Sequence, residues 1–270
     1  MQFIDAHRHL FEEETITEVL GQMDAHGVVH SVVLPMGGDL EFVEFQGQHL
    51  AGNASVFAFV ASCKDRLRPA VYLDPREDRA LDELRRYADQ GAVAVKLWPP
   101  AGYFPDREEY YPLYEEIEAR RLPVMIHTGL TDLRNPKSRV PFNTRFAMPM
   151  ELDGLIRAFP RIIWLYAHAG NPDFATAIHH AATHANVYLN ICGAADATGW
   201  DARLFRFYER MQGACALLPW DKLLWGTDNL GFDFGNYDRI FSAAGQTANL
   251  AAFYADNARR IYGLASGGAR

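Results

Sequence analysis

The sequence lacks several features that mark particular classes of protein. It has only three cysteines, Cys63, Cys192 and Cys215, at wide spacings. They form neither a Cys-x-x-Cys pair nor an even disulfide framework, which favours free thiols in a reducing cytoplasm. No apolar run approaches the roughly 20 residues that a membrane-spanning helix needs, and no charged-then-apolar leader precedes the first apolar segment. We therefore expect a soluble, cytoplasmic protein.

Basic residues are not in excess either. The 270 residues carry a formal net charge of −8, which argues against a nucleic-acid partner. The charge does not exclude a small anionic substrate, because a local cluster of arginines can override it. No Gly-x-Gly-x-x-Gly turn follows the first apolar segment, so nothing indicates a dinucleotide-binding open sheet. Hydrophobic residues make up 49% of the chain, enough for a sizeable core.

Short apolar segments alternate with segments of helical periodicity along the whole chain. The predicted strands cover residues 1–9, 31–35, 68–74, 92–98, 123–128, 161–168, 186–191 and 222–228. The predicted helices cover residues 16–26, 42–61 (as one helix or two), 74–90, 108–121, 151–159, 172–184, 202–216, 237–244 and 249–264. Near-continuous apolar strands are typical of a parallel sheet that is covered on both faces. Eight such repeats predict an α/β protein, a single-domain (β/α)8 TIM barrel over residues 1–270.

Titratable side chains collect where the predicted strands end, and in barrels of this kind that edge carries the reactive groups. They are His7, His9, Lys96, His127, His168 and Asp228. His7 and His9 are separated by one residue, so both side chains point to the same face of a strand. Neutral imidazoles suit zinc and other divalent first-row metals. The pattern therefore predicts a metal site at one end of the barrel.

Five motifs, in chain order, resemble those of the amidohydrolase superfamily. They are Asp5-Ala-His-Arg-His9, Pro123-Val-Met-Ile-His-Thr-Gly129, Tyr166-Ala-His-Ala-Gly170, Leu224-Trp-Gly-Thr-Asp228 and Asp256-Asn-Ala-Arg-Arg-Ile-Tyr-Gly263. The resemblance spans almost the whole chain. The branch that it resembles is the amidohydrolase-related one, which includes α-amino-β-carboxymuconate-semialdehyde decarboxylase and related acid decarboxylases.

The resemblance implies a ligand set of His7, His9, His127 and Asp228 around one divalent ion per chain, usually zinc. Such an ion lowers the pKa of a bound water towards about 7. His168 is implied as an acid/base group, and Asp228 is implied both to touch the metal and to take a proton.

Two further residues, Lys96 and Asp5, each have two possible roles. Lys96 ends the fourth predicted strand, where some branches carry a carboxylated lysine that bridges two metals and others a lysine that holds a substrate anion. Asp5 supports the metal site from below or makes a polar contact at the bottom of the barrel.

Substrate contacts are predicted from residues that surround this edge. They are Trp98 after the fourth strand, Arg134, Arg139 and Arg145 in the segment 130–149, and Asn190 at the end of the seventh strand. An aromatic wall with a guanidinium group suits a small aromatic or unsaturated carboxylic acid. The alternative is that the arginines only solvate an exposed loop.

The leading functional hypothesis is a metal-dependent hydrolase of a small ester, lactone or amide, with metal-activated water and with His168 and Asp228 as acid/base groups. The second is non-oxidative decarboxylation of a small acid by the same residues. The third is a barrel that binds metal and ligand without turnover. Homodimers are common among the relatives, although no residue here indicates one.

Overall fold

The computed structural model describes residues 1–37, 43–45, 47–131, 133, 142–192, 213–214, 216–228 and 249–264. The predictions for Arg134 and Arg139, for the helix at 237–244 and for most of the helix at 202–216 lie outside these residues.

Ten strands and seven α-helices have both ends within the described residues, and residues 213–214 and 216–217 are helical as well. The strands are β1 (Phe3–Arg8), β2 (Val28–Val33), β3 (Val43–Phe45), β4 (Gln48–Leu50), β5 (Leu67–Leu73), β6 (Ala94–Leu97), β7 (Val124–His127), β8 (Trp164–Ala167), β9 (Val187–Ile191) and β10 (Leu223–Trp225). The helices are α1 (Ile16–Ala25), α2 (Asn53–Ala61), α3 (Ala80–Asp89), α4 (Tyr111–Ala119), α5 (Asp153–Ala158), α6 (Phe174–Thr183) and α7 (Asn257–Tyr262), the last preceded by a π-helix at Ala252–Asp256. Short 3-10 helices lie at Pro99–Ala101, Glu108–Tyr110, Thr144–Ala147, Pro149–Leu152, His168–Gly170 and Trp220–Lys222.

Eight of the strands form one sheet in the order β1-β2-β5-β6-β7-β8-β9-β10, with every neighbouring pair parallel. The two ends of this sheet meet, because the backbone N–H of Asp228 donates to the carbonyl oxygen of His7 at 2.7 Å. Gly226 permits this approach: a Cβ atom there would lie 2.7 Å from the Cβ of His7. The predicted (β/α)8 barrel is therefore confirmed.

Successive side chains along a strand point to opposite faces of the sheet, so neighbouring residues of a strand pack in different apolar clusters. On β6, Val95 and Leu97 pack with residues of the surrounding helices, whereas Ala94 joins a second cluster that contains several alanines. Lys96 continues the face of Ala94 and is buried. The same alternation places Met125 in the second cluster and His127 two residues further along β7. The inner face of the barrel thus changes from apolar to titratable towards its C-terminal edge.

The segment 42–61 is where the sequence prediction was partly wrong. Of its described residues, which exclude 42 and 46, only Asn53–Ala61 are helical, and Val43–Phe45 and Gln48–Leu50 form the antiparallel hairpin β3–β4, in which Gly47 has a φ of +86°. Val43 and Leu50 of this hairpin are buried together with Phe11 and Trp98. A helical period cannot reveal such a packing site, because it depends on residues that are remote in sequence.

One helix boundary also differs from the prediction. Helix α3 begins at Ala80 rather than near Asp74, because the Asp74 carboxylate binds the backbone N–H and the guanidinium of Arg76 in a turn. His180 of α6 is buried, with its Nδ1 3.1 Å from the hydroxyl of Tyr166. Among the described residues, no helix combines the length and hydropathy needed to cross a bilayer.

Candidate active site

Three of the predicted ligands converge at the C-terminal edge of the barrel. His7 Nε2 lies 3.1 Å from Asp228 Oδ1, His9 Nε2 lies 3.3 Å from the same oxygen, and the two ring nitrogens are 3.1 Å apart. All three residues are buried. Zinc ligands at about 2.0–2.2 Å from the ion in a tetrahedron are about 3.3–3.6 Å from one another. The three atoms thus have nearly the spacing of the donors around one divalent ion.

The tautomers of His7 and His9 also suit the binding of a cation. His9 Nδ1 lies 2.7 Å from the carbonyl oxygen of Leu34, which can only accept, so Nδ1 carries the proton and Nε2 a lone pair. His7 Nδ1 lies 2.9 Å from Asn190 Oδ1, and the amide is oriented because its Nδ2 donates to Leu224 O at 3.4 Å. Burial lowers the pKa of His7 to about 3, so this ring is neutral. Two lone pairs and a carboxylate oxygen therefore converge, which is the donor set of a cation site.

Asp228 supplies the negative charge. Burial alone would raise the pKa of this carboxyl group, but His168 and His7 hold it well below its usual range. Its backbone has a φ of 57°, in the left-handed region that non-glycine residues rarely adopt. His168, with a φ of 60°, shares this unusual conformation. Such backbone strain is typical of functional positions.

His168 lies beside the Asp228 carboxylate and is not one of the three converging ligands His7, His9 and Asp228. Its Nδ1 lies 3.7 Å from Asp228 Oδ2 and 3.6 Å from the sulfur of Cys192. Its ring is partly exposed, with 16% of the side chain accessible. An imidazole that contacts a buried carboxylate and also reaches solvent can exchange protons with a bound substrate.

Asp5 does not point into the mouth but joins β1 to the segment after β10. Its Oδ1 accepts hydrogen bonds from the backbone N–H groups of His7 at 3.1 Å and Thr227 at 2.9 Å, and its Oδ2 accepts from the Thr227 hydroxyl at 2.6 Å. Burial raises the pKa of Asp5, and the hydrogen bonds from Thr227 oppose that rise. The supporting role is therefore the one that fits: Asp5 holds the seam whose ends carry His7 and Asp228.

His127 lies in the mouth but outside the compact group of three ligand atoms. Its ring centroid is 4.8 Å from that of His168, and its buried Nε2 has no hydrogen-bond partner among the described residues. Burial, followed by the charge of His168, lowers its pKa well below the usual value, so the ring is neutral. A neutral, unpartnered imidazole nitrogen in this position remains available to a metal ion or a substrate.

Lys96 is the buried amine of the site. Burial lowers its pKa to about 8, although the charge of Asp228 opposes the shift. No hydrogen bond to Nζ is formed within the described part of the chain. An amine in this state suits either of the two roles that the sequence left open.

The predicted substrate contacts have different outcomes. Trp98 is buried beside the site, with its ring centroid 6.2 Å from that of His127, and its Nε1 has no partner among the described residues. Arg145 is exposed and stacks over Phe104 at 5.4 Å, which agrees with a solvated loop. Asn190 is fully buried and orients His7, so we replace its predicted substrate contact with a positioning role.

Cys192 is a site residue that sequence reasoning missed. The sequence predicted only a free thiol, but its sulfur lies 3.3 Å from His7 Nδ1 as well as near His168. Tyr188, Asn190 and Cys192 occupy alternate positions, so the twofold period of β9 could have indicated that all three face inwards.

Comparison with known proteins identifies the family. A family model described as amidohydrolase matches residues 4–264, nearly the whole chain. The chain belongs to the amidohydrolase family. The match confirms the family that the motifs predicted, and with it an enzyme of amidohydrolase type. No curated protein matches this amidohydrolase significantly.

Several solved structures share the fold of this amidohydrolase. A Pseudomonas putida protein assigned as a 2-pyrone-4,6-dicarboxylic acid hydrolase is 21% identical over 98% of each chain, with a TM-score of 0.69. The 2,6-dihydroxybenzoate decarboxylase from Rhizobium is 17% identical over 98% of this chain and 99% of its own, with a TM-score of 0.66. A Burkholderia multivorans amidohydrolase with bound zinc is 12% identical over 98% and 100%, with a TM-score of 0.69. At these identities the likeness establishes the fold alone.

Proposed function

We propose that the protein is a metal-dependent hydrolase of a small ester, lactone or amide. The observation that carries the proposal is the convergence of His7 Nε2, His9 Nε2 and Asp228 Oδ1 within 3.1–3.3 Å, with the His168 ring beside the carboxylate. A cation site next to an acid/base group is the arrangement that hydrolysis by activated water requires.

We infer that one divalent first-row ion per chain, zinc in the first instance, is held by His7, His9 and Asp228. We propose His127 as the fourth ligand. The zinc in the Burkholderia relative supports this choice. When bound, such an ion polarises a carbonyl group and acidifies a water molecule.

The remaining chemistry belongs to the side chains. His168 accepts the proton of the attacking water and returns it to the leaving group. The imidazolium that forms in between is stabilised by Asp228, whose Oδ2 is 3.7 Å from Nδ1. The low pKa of this carboxyl keeps it charged throughout, so the proton stays on the imidazole until the leaving group departs.

Lys96 and Trp98 support a substrate that carries an anionic group. The Lys96 amine is buried and, when protonated, has no counter-ion bonded to it among the described side chains. A substrate carboxylate would supply that charge. The unpartnered Nε1 of Trp98 offers a second donor near the same place.

Decarboxylation is the second candidate, and the Lys96 amine is the observation that favours it, because an acid substrate is then required. In that reaction His168 would deliver a proton to carbon after carbon dioxide leaves, because the low pKa of Asp228 leaves this carboxylate without one. The fold likeness to a dihydroxybenzoate decarboxylase agrees with this alternative but does not establish it.

Two measurements test these proposals. The first is metal per chain in protein prepared without chelator: one equivalent, lost in His7→Ala and kept in His168→Asn, is expected. No metal under any loading condition would contradict the hydrolase. The second uses lactone, ester and acid substrates in ¹⁸O-labelled water: label in the product supports hydrolysis, and carbon dioxide release without label supports decarboxylation. If His168→Asn changes ligand affinity but no substrate is ever turned over, the protein is a binding module.

A further inference from the structure

A second group of ligand atoms lies beside the first, on the other side of the Asp228 carboxylate. It consists of His168, Cys192 and Asp228, whose ligand atoms all lie within 4.8 Å of one another. The His168 Nδ1 is 3.6 Å from the Cys192 sulfur and 3.7 Å from Asp228 Oδ2. The other oxygen, Oδ1, faces His7 and His9. One carboxylate therefore borders two different donor sets.

The spacing of this second group also fits a metal ion. With zinc–sulfur and zinc–nitrogen distances of about 2.3 and 2.0 Å, tetrahedral ligands are about 3.3–3.6 Å apart. The separations of 3.6 and 3.7 Å lie at the upper limit of that range and 0.1 Å above it. The thiol makes this group chemically unlike the first, because thiolate sulfur prefers soft and borderline ions.

The surroundings of Cys192 can accommodate a thiolate once an ion is present. The backbone N–H of His168 donates to the sulfur, and the positive charge of Lys96 lies nearby. A bound cation outweighs burial and deprotonates a coordinating thiol outright.

A third imidazole borders this group. The His127 ring packs against that of His168, with ring centroids 4.8 Å apart, although its nitrogens do not belong to the group of close ligand atoms.

We propose that His168 Nδ1, Cys192 Sγ and Asp228 Oδ2 form a second, inhibitory position for a soft divalent ion such as Zn²⁺ or Cd²⁺. Binding replaces the thiol proton of Cys192, which leaves to solvent, by a bond from sulfur to the ion. The ion also stands between His168 Nδ1 and Asp228 Oδ2, so the carboxylate can no longer stabilise the imidazolium that forms during hydrolysis. This inhibitory consequence rests on the proposed function, whereas the binding itself does not.

The experiment is a Cd²⁺ titration of the enzyme whose first position is already filled. We expect a second equivalent to bind, with an ultraviolet thiolate-to-cadmium charge-transfer absorption, and turnover to fall about 100-fold, the usual contribution of an acid/base group. In Cys192→Ser the absorption and the second equivalent should be absent while the first equivalent stays. His168→Asn, which leaves the thiol in place, should weaken the second equivalent. Cys63→Ser, which removes a thiol outside the site, should behave as wild type.

The outcomes separate this proposal from the proposed function. Charge-transfer absorption that persists in Cys192→Ser overturns the thiolate position. A second equivalent that survives Cys192→Ser but disappears in Lys96→Met overturns it in favour of a lysine that bridges two metals. One equivalent in both wild type and Cys192→Ser contradicts this inference alone, and no bound metal at all contradicts the proposed hydrolase. Retention of the first equivalent shows that each variant is folded.

Discussion

Replacing Asp5 by alanine should weaken the seam at which the barrel closes. The substitution removes the acceptor of the backbone N–H groups of His7 and Thr227, which are 3.1 and 2.9 Å from Oδ1. Each buried donor left without a partner costs about 1–3 kcal/mol, so the two together cost about 2–6 kcal/mol. The Thr227 hydroxyl has a substitute acceptor, because the carbonyl oxygen of His7 is 3.4 Å away.

The burial of the Asp5 charge reduces the loss of stability expected for Asp5→Ala. Burial raises the pKa of Asp5, which means that the wild-type protein already spends free energy to keep the charge inside. We therefore expect the free energy of unfolding to fall by about 2–4 kcal/mol, towards the lower part of the range for two orphaned donors. Metal affinity should fall as well, because Asp5 also fixes the backbone of His7.

The assay is urea unfolding of the metal-free protein, followed by tryptophan fluorescence and by far-ultraviolet circular dichroism. Thr227→Val removes only the hydroxyl bond and should cost about 1–2 kcal/mol. Asp173→Ala is the matched control: this carboxylate accepts from Thr176 at the start of α6, far from the seam, and should cost about 1 kcal/mol without changing metal affinity. A loss for Asp5→Ala no larger than that of Asp173→Ala would refute the reasoning.

Three other perturbations follow from the site. Burial lowers the pKa of Lys96 from 10.5 to about 8, so between these pH values the unfolded chain holds a proton that the folded chain has lost. The free energy of unfolding of the metal-free wild type should therefore rise with pH across that interval, relative to Lys96→Met, by up to about 1.4 kcal/mol per pH unit. Parallel curves of unfolding free energy against pH for the two proteins would contradict the assignment. Gly226→Ala, whose Cβ would meet that of His7 at 2.7 Å, should cost about 1–3 kcal/mol or open the seam, seen as a lower thermal midpoint and weaker metal binding. Asn190→Leu should weaken metal binding about 10–100-fold, measured by competition with a chromogenic chelator, because His7 Nδ1 loses its amide partner; unchanged affinity would leave Asn190 without a positioning role.

Local periodicity was sufficient for most of the barrel and for the nearest ligands. The His-x-His spacing of His7 and His9 depends only on strand alternation, and Asp228 follows an apolar strand directly, so each could be assigned from neighbours in sequence. Their meeting in one group then follows from closure, because parallel strands present their C-terminal ends at one edge.

Other features depended on contacts between distant segments. The hairpin β3–β4 arises because Val43 and Leu50 pack against Trp98, a partner that no local period reveals. The link between Asp5 and Thr227 requires the register of the first strand against the segment after the last, which the sequence alone does not determine. Asn190 was placed at a strand end, but its contact with His7 rather than with a substrate depends on its rotamer, and the position of Cys192 beside His7 was not predicted.

The closure of the barrel has a consequence for how the chain folds. His7 belongs to β1 and Asp228 follows β10, and the hydrogen bond between their backbones joins the two ends of the sheet. Contacts between segments so far apart carry the largest loop-closure cost and form late in folding. An incomplete chain, such as one still emerging from the ribosome, would hold the two imidazoles without the carboxylate. Tight metal binding would therefore indicate that the barrel has closed. A chelator should increase the rate at which β1 and the segment after β10 separate more than the rate for any other pair of strands.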